Sequence, residues 1–126
     1  MPLVRVDLLR GKPADYRRVA GEIIYEAMRS TINVPENDHF QILTEHEPGD
    51  LVYSPDYVGI HRSDDCIFIQ VVLNEGRSLE QKRAFYKAIA DGLHAKLGLP
   101  REDVFIVLVE VKKENWSFGN GEATYA

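Results

Sequence analysis

The sequence predicts an α+β fold of α/β character, a duplicated β-α-β unit giving a four-stranded mixed sheet with two helices on one face. Three observations carry this. Short β-rich runs alternate with long stretches of helical periodicity. The order strand, helix, strand occurs twice. The two occurrences align at an offset of 65 residues, and Gly11-Lys12 then falls on Gly76-Arg77. At the same offset Pro35, Asp38, Phe40, Leu43 and Glu45 fall on Pro100, Asp103, Phe105, Leu108 and Glu110. Each unit is expected to be a right-handed crossover with parallel strands.

The elements follow in order. Residues 3–9 alternate, with Val4 and Val6 on one face and Leu3, Arg5, Asp7 and Leu9 on the other. From Pro13 the apolar positions Tyr16, Val19, Ala20, Ile23, Ile24, Ala27, Met28 and Ile32 recur at helical spacing. Pro13 suits a first helical turn, and Val34-Pro35 ends the helix because the residue before proline avoids the α region. Residues 40–45 read as a strand. In the second half, residues 66–73 are nearly all apolar, as a central strand requires. Ser78-Leu79-Glu80-Gln81 is a capping box for a helix whose stripe is Phe85, Ala88, Ile89, Gly92, Leu93 and Leu97. Gly98 and Pro100 stop it, and residues 104–111 form the last strand.

The chain reads as one domain over 1–126, with repeat halves at about 2–46 and 67–111. The connection 47–65 carries turn signals at Pro48-Gly49 and Ser54-Pro55-Asp56-Tyr57, and a short hairpin is expected there from residues 51–53 and 57–60. The tail 112–126 holds Trp116, Phe118 and Tyr125. Helices on one sheet face leave the other bare, so self-association is expected.

Composition narrows the function. Fifteen Lys and Arg against 20 Asp and Glu give a net charge of −5, which argues against nucleic acid as the main partner. The longest apolar run, 104–109, is far short of a membrane span, and Arg5 and Asp7 interrupt any signal-peptide stretch. Cys66 is the single cysteine, so the chain forms no internal disulfide. A cytoplasmic protein is expected. His39, His46, His61 and His94 lack metal-ligand spacing, so neither a metal nor a cofactor is expected.

Pro2 is the most informative residue. With Met1 removed, it carries a free secondary amine at the start of a strand. Such an amine titrates near ~8, and an apolar pocket or a nearby cation lowers it. A neutral amine at pH 7 can take a proton from a carbon next to a carbonyl. Arg77, at a strand-to-helix corner just before the Ser78 cap, is placed to meet an anion. Asp38 shares a Pro-x-x-Asp turn with its repeat mate Asp103, which fits backbone capping as well as chemistry.

Four stretches resemble the tautomerase superfamily, and within it the malonate semialdehyde decarboxylase-like branch: Met1-Pro2-Leu3-Val4-Arg5-Val6-Asp7-Leu8, Val34-Pro35-Glu36-Asn37-Asp38-His39-Phe40-Gln41, Gly76-Arg77-Ser78-Leu79-Glu80-Gln81-Lys82 and Glu114-Asn115-Trp116-Ser117-Phe118-Gly119. The resemblance covers essentially the whole chain. It implies a homotrimer with the amino-terminal proline in a pocket at the subunit boundary. It implies Pro2 as the catalytic proline, Asp38 as a carboxylate beside it and Arg77 as a substrate-binding arginine. It also implies that Trp116 and Phe118 line the pocket. Glu75 stands where the branch has a second arginine, and His39 replaces an arginine and keeps only a weaker donor role toward substrate.

The expected function is a keto–enol tautomerase acting on a 2-oxo acid or its enol, with Pro2 as general base and Arg77 on the carboxylate. The nearest alternative keeps Pro2 protonated and uses Asp38 with water, giving hydration or decarboxylation of a short oxo acid. The alternative of another class is a non-catalytic trimeric binding protein.

Overall fold

The computed structural model describes residues 2–125. Met1 and Ala126 lie outside the described residues, so the expected removal of Met1 is not addressed by it. The elements are β1 (Leu3–Leu9), α1 (Tyr16–Thr31), β2 (Gln41–His46), β3 (Ile67–Asn74), α2 (Leu79–Leu97) and β4 (Val104–Val111), with single 3-10 turns at Tyr57–Gly59, Arg101–Asp103 and Lys113–Asn115.

The four strands form one mixed sheet in the order β2-β1-β3-β4. β1 runs parallel to β2, with Val4 opposite Gln41, and β3 parallel to β4, with Ile67 opposite Val104. The two units join antiparallel through β1 and β3, with Val4 opposite Val71 and Val6 opposite Ile69. Two parallel crossovers joined back to back are what a duplicated β-α-β sequence requires.

The repeat reaches into backbone conformation. Gly11 and Gly76, 65 residues apart, both have strongly positive φ, +114° and +119°. Asn33 and Gly98, again 65 apart, both adopt the left-handed conformation that closes a helix, with φ 57° and 67°. The end of α1 is therefore set at Asn33, before the proline signal at Pro35 takes effect. Its start lies one turn later than the sequence suggests: Pro13 sits outside, and its carbonyl accepts the Tyr16 N–H at 3.0 Å. The capping box of α2 is complete. Gln81 N–H donates to Ser78 Oγ at 3.2 Å, and Ser78 N–H donates to Gln81 Oε1 at 3.0 Å.

Alternation along the central strands divides the sheet into two faces. Val4, Val6 and Leu8 of β1 and Ile67, Ile69, Val71 and Leu73 of β3 are all buried under the helices. Ala20, Ile24 and Met28 of α1 and Phe85, Ile89 and Leu93 of α2 complete this layer. The helices approach closely at Gly92, where a Cβ would lie 2.6 Å from Ile23 Cγ2. The opposite face is uncovered within the chain. Ile42, Phe105, Val107 and Val109 are exposed there, beside a polar strip in which His46 Nε2 and Asp7 Oδ1 lie 2.6 Å apart.

The hairpin expected within 47–65 does not form; among the described residues this segment contains turns and one 3-10 turn. Its backbone groups are satisfied by turn bonds, such as Arg62 N–H to the Pro55 carbonyl at 2.7 Å, and by side chains, not by a ladder. Arg62 Nη1 donates to the carbonyls of Ser54, Tyr57 and Ile60 at 3.5, 3.3 and 3.2 Å. Val58, at φ 54°, is left-handed and cannot extend a strand. No helix among the described residues is long and apolar enough to cross a membrane.

Candidate active site

Pro2 is buried immediately before β1 and forms part of a cavity of about 220 Å³ lined also by Leu3, Phe40, Trp116, Ser117 and Phe118. The sheet explains the meeting. Val4 N–H donates to the Phe40 carbonyl at 3.0 Å, and the parallel register brings the segment before β2 alongside the start of β1. The tail then folds back over this end of the sheet. Trp116 and Phe118 stack with ring centroids 5.5 Å apart, and Tyr125 meets Phe118 edge-on at 5.3 Å.

Trp116 is fixed by a residue that the sequence did not single out. Its indole N–H donates to Oδ1 of Asn74, a buried side chain at the end of β3, at 2.7 Å. An asparagine closing the apolar run Val71-Val72-Leu73 was the available signal. Arg77 stands behind Asn74. Its Nη1 donates to the Asn74 carbonyl at 3.2 Å, and its Nε and Nη2 donate to the Ile32 carbonyl at the end of α1 at 3.3 and 3.1 Å. Arg77 lines a neighbouring cleft with Asn33, Glu75, Gln81 and Lys113 rather than the Pro2 cavity itself. A guanidinium has five N–H donors, so these bonds leave donors for an anion.

Asp38 is buried at the same end of the sheet as Pro2. Burial raises its carboxyl pKa above the ordinary 3.8, opposed in part by the positive charge of Arg77. Its repeat mate Asp103 has a plainly structural task, accepting from Ser63 N–H at 2.7 Å and Ser63 Oγ at 2.6 Å to anchor the connecting segment. The two aspartates share their turn: each N–H donates to the carbonyl of the proline three residues before it, at 3.2 Å for Asp38 and 3.0 Å for Asp103.

A raised folded-state pKa means that ionised Asp38 opposes folding. Stability from this group is fully present below the unfolded value near 3.8 and is lost as pH rises through the folded value. Asp38→Asn is therefore expected to raise the thermal midpoint at pH 7 and to leave it nearly unchanged at about pH 3, where both carboxyl states are protonated. Melting curves at the two pH values check this, and a midpoint lowered at pH 7 counts against it.

His39 is not brought into the cavity. Its exposed ring stacks on Tyr25, centroids 4.3 Å apart, on the α1 side of β2. Among the described residues there is no group of three or more His, Cys, Asp or Glu side chains suited to hold a metal ion. Cys66 is buried, and burial raises its thiol to about 11, so it is not a nucleophile at neutral pH.

The duplicated β-α-β sheet thus ends in a small, mostly apolar cavity that holds Pro2 beside two stacked aromatics. Family models described as tautomerase enzyme match residues 38–119 and 2–60. The chain belongs to the tautomerase family. It is 40% identical to the probable tautomerase YusQ of Bacillus subtilis (strain 168), over 98% of this chain and 97% of that protein. Among solved structures it resembles FG41 malonate semialdehyde decarboxylase inhibited by 3-bromopropiolate, at 35% identity and a TM-score of 0.89, over 98% of this chain and 93% of the other. A second malonate semialdehyde decarboxylase, described with decarboxylase and hydratase activities, gives 32% identity and a TM-score of 0.90 over 98% and 95% of the two chains. A fused 4-OT described as a symmetric trimer gives 25% identity and a TM-score of 0.80 over 98% and 97%.

Proposed function

We propose that this tautomerase converts a 2-oxo acid and its enol into one another, with Pro2, freed by removal of Met1, as the general base. The observation that carries the reading is the burial of Pro2 under Trp116 and Phe118 in a small, mostly apolar cavity. An apolar surrounding disfavours the charged ammonium, so the amine is neutral near pH 7 and able to accept a proton. Arg77 is assigned to the substrate carboxylate and to the negative charge that develops on the oxygen. Asp38 orients the proline, and the aromatics exclude water. The working form is a homotrimer, supported by the uncovered apolar sheet face and by the trimer described for the fused 4-OT relative. His39 has no part in this reading.

A second reading is favoured by one observation, the full-length likeness to two malonate semialdehyde decarboxylases. In it Pro2 stays protonated, and buried Asp38 directs water or the leaving carboxylate of a short oxo acid. Glu75, beside Arg77 in the same cleft, weighs against a doubly cationic grip on a carboxylate.

The charge on the Pro2 nitrogen separates the two. After intact mass has verified that Met1 is absent, a nitrogen NMR titration is expected to give a Pro2 value of about 7 or lower, against roughly 8 for a free α-amine. A value above about 8 overturns the tautomerase reading in favour of the hydrating or decarboxylating one.

A further inference from the structure

A second cavity lies where the repeat relation carries two walls of the Pro2 cavity. Shifted by 65 residues, Leu3 and Phe40 become Phe68 and Phe105. Those two residues, with Val52 and Tyr53, line a separate cavity of about 360 Å³ over β3 and β4, roofed by the connecting segment as the Pro2 cavity is roofed by the tail. Two of the wall positions, Leu3 with Phe68 and Phe40 with Phe105, are repeat mates, and the segment following each half supplies the roof of the other's hollow.

The two hollows differ in the groups that decide chemistry. The repeat mate of Pro2 is Ile67, fully buried in β3, so the second cavity has no amine base. It holds instead a cation that the first lacks. Arg62 lines it, with its guanidinium 6.0 Å from the centroid of the Phe105 ring. Only Nη1 of Arg62 is engaged, with the three carbonyls of the connecting segment. Nε and Nη2 make no hydrogen bond among the described residues. A half-buried guanidinium with one open edge against aromatic walls suits a planar anion, because its fork matches the two oxygens of a carboxylate. The wall rings Phe68, Phe105 and Tyr53 suit an aromatic group attached to that anion. Tyr53 is held in place by donating its hydroxyl to Asp64 Oδ1 at 2.6 Å. The volume is of the order of ordinary small-molecule sites.

We propose that this second cavity binds an aromatic carboxylate without turning it over, its carboxylate on Nε and Nη2 of Arg62 and its ring against Phe68 and Phe105. The site is independent of Pro2.

Phenylacetate is a suitable probe because it offers a ring and a carboxylate but no carbonyl to enolise. Trp116 is the sole tryptophan and lines the Pro2 cavity but not the second one, so its fluorescence distinguishes binding at the two. Equilibrium dialysis of the full chain, with fluorescence and amide NMR in parallel, is expected to show two phenylacetate molecules per chain. One changes Trp116 emission; the other shifts the amides of Tyr53, Ser54 and Phe105 and leaves Trp116 unchanged. Arg62→Met is expected to weaken the second event at least tenfold. Because Arg62 also tethers its own segment, Val52→Glu provides a second variant. Val52 is 86% exposed, so the substitution leaves the fold intact while setting a carboxylate against the ligand. Phenylacetamide, which lacks the charge, is expected to bind the second cavity at least tenfold more weakly than phenylacetate. A stoichiometry of one with no shift at Tyr53 and Phe105 overturns the proposal, as it would if a second copy of the chain covered the cavity. A second event equally strong in both variants, or equally strong for phenylacetamide, overturns it too.

Discussion

Pro2→Ala is expected to lower kcat/KM for enol-to-keto conversion of an arylpyruvate by about 10²-fold or more, within the range that a placed general base contributes. Alanine still presents an amine, so the loss comes from what the ring does. The pyrrolidine fixes φ and holds the nitrogen in one place. It also fills the buried position between Leu3 and the aromatics of the tail. Without it the amine is free to turn, better hydrated, and more often protonated near pH 7. The effect is expected mainly in kcat, because the proton transfer takes place in the transition state while substrate contacts elsewhere remain. The fold should survive. Residue 2 precedes β1, and neither the pairing of Leu3 with Val72 nor the bond from Val4 N–H to the Phe40 carbonyl involves it. A circular-dichroism melt within a few degrees of wild type, measured on the same sample as the rate, separates lost chemistry from lost structure. Equal rates for the two proteins would end the assignment of Pro2 as base.

How far the sequence carries this result depends on where each interaction comes from. The capping box at Ser78, the stop at Gly98 and the alternation in β1 are local, and each appears where its residues predict. The duplication was legible because it repeats whole positions, and the structure extends it to the paired left-handed residues Asn33 and Gly98. The burial of Pro2 with Trp116 and Phe118 was reached through resemblance; nothing local joins residues more than a hundred positions apart. The connecting segment misled because Leu51-Val52-Tyr53 has strand composition, yet its order comes from Arg62 and from Asp103, 40 residues away from its partner Ser63. His39 was read as facing substrate because it stands where the resembling branch has an arginine. The stacking partner that draws it aside, Tyr25, belongs to α1 and leaves no mark near His39 in the sequence. Arg77 was placed correctly at its corner, but the carbonyl it grips belongs to Ile32, 45 residues earlier.

That last contact makes Arg77 the residue whose loss should disturb the most. Arg77→Met is expected to destabilise the protein by about 2–4 kcal/mol, since removing a charged donor leaves partly buried carbonyls unsatisfied at about 1–3 kcal/mol each. Two carbonyls are at stake, that of Ile32 at the end of α1 and that of Asn74 at the end of β3. For a chain of this size the melting midpoint should fall by roughly 10 °C. The damage should also reach the Pro2 cavity. Arg77 holds the backbone of Asn74, whose side chain holds the Trp116 indole, so the emission of the sole tryptophan is expected to shift to longer wavelength as the ring loosens. Arg77→Lys keeps the charge but not the fork, and one ammonium cannot reproduce three bonds to two carbonyls. Its stability should lie between the other two. Kinetics then distinguish scaffold from substrate contact. If Arg77 also meets the substrate carboxylate, Arg77→Lys should raise KM for the oxo acid several-fold while leaving KM for its neutral methyl ester unchanged. Equal changes for acid and ester would confine Arg77 to holding Asn74 and the end of α1, and the carboxylate would then need another partner. An unchanged melting midpoint in Arg77→Met would instead show that these buried carbonyls find water or other donors without it.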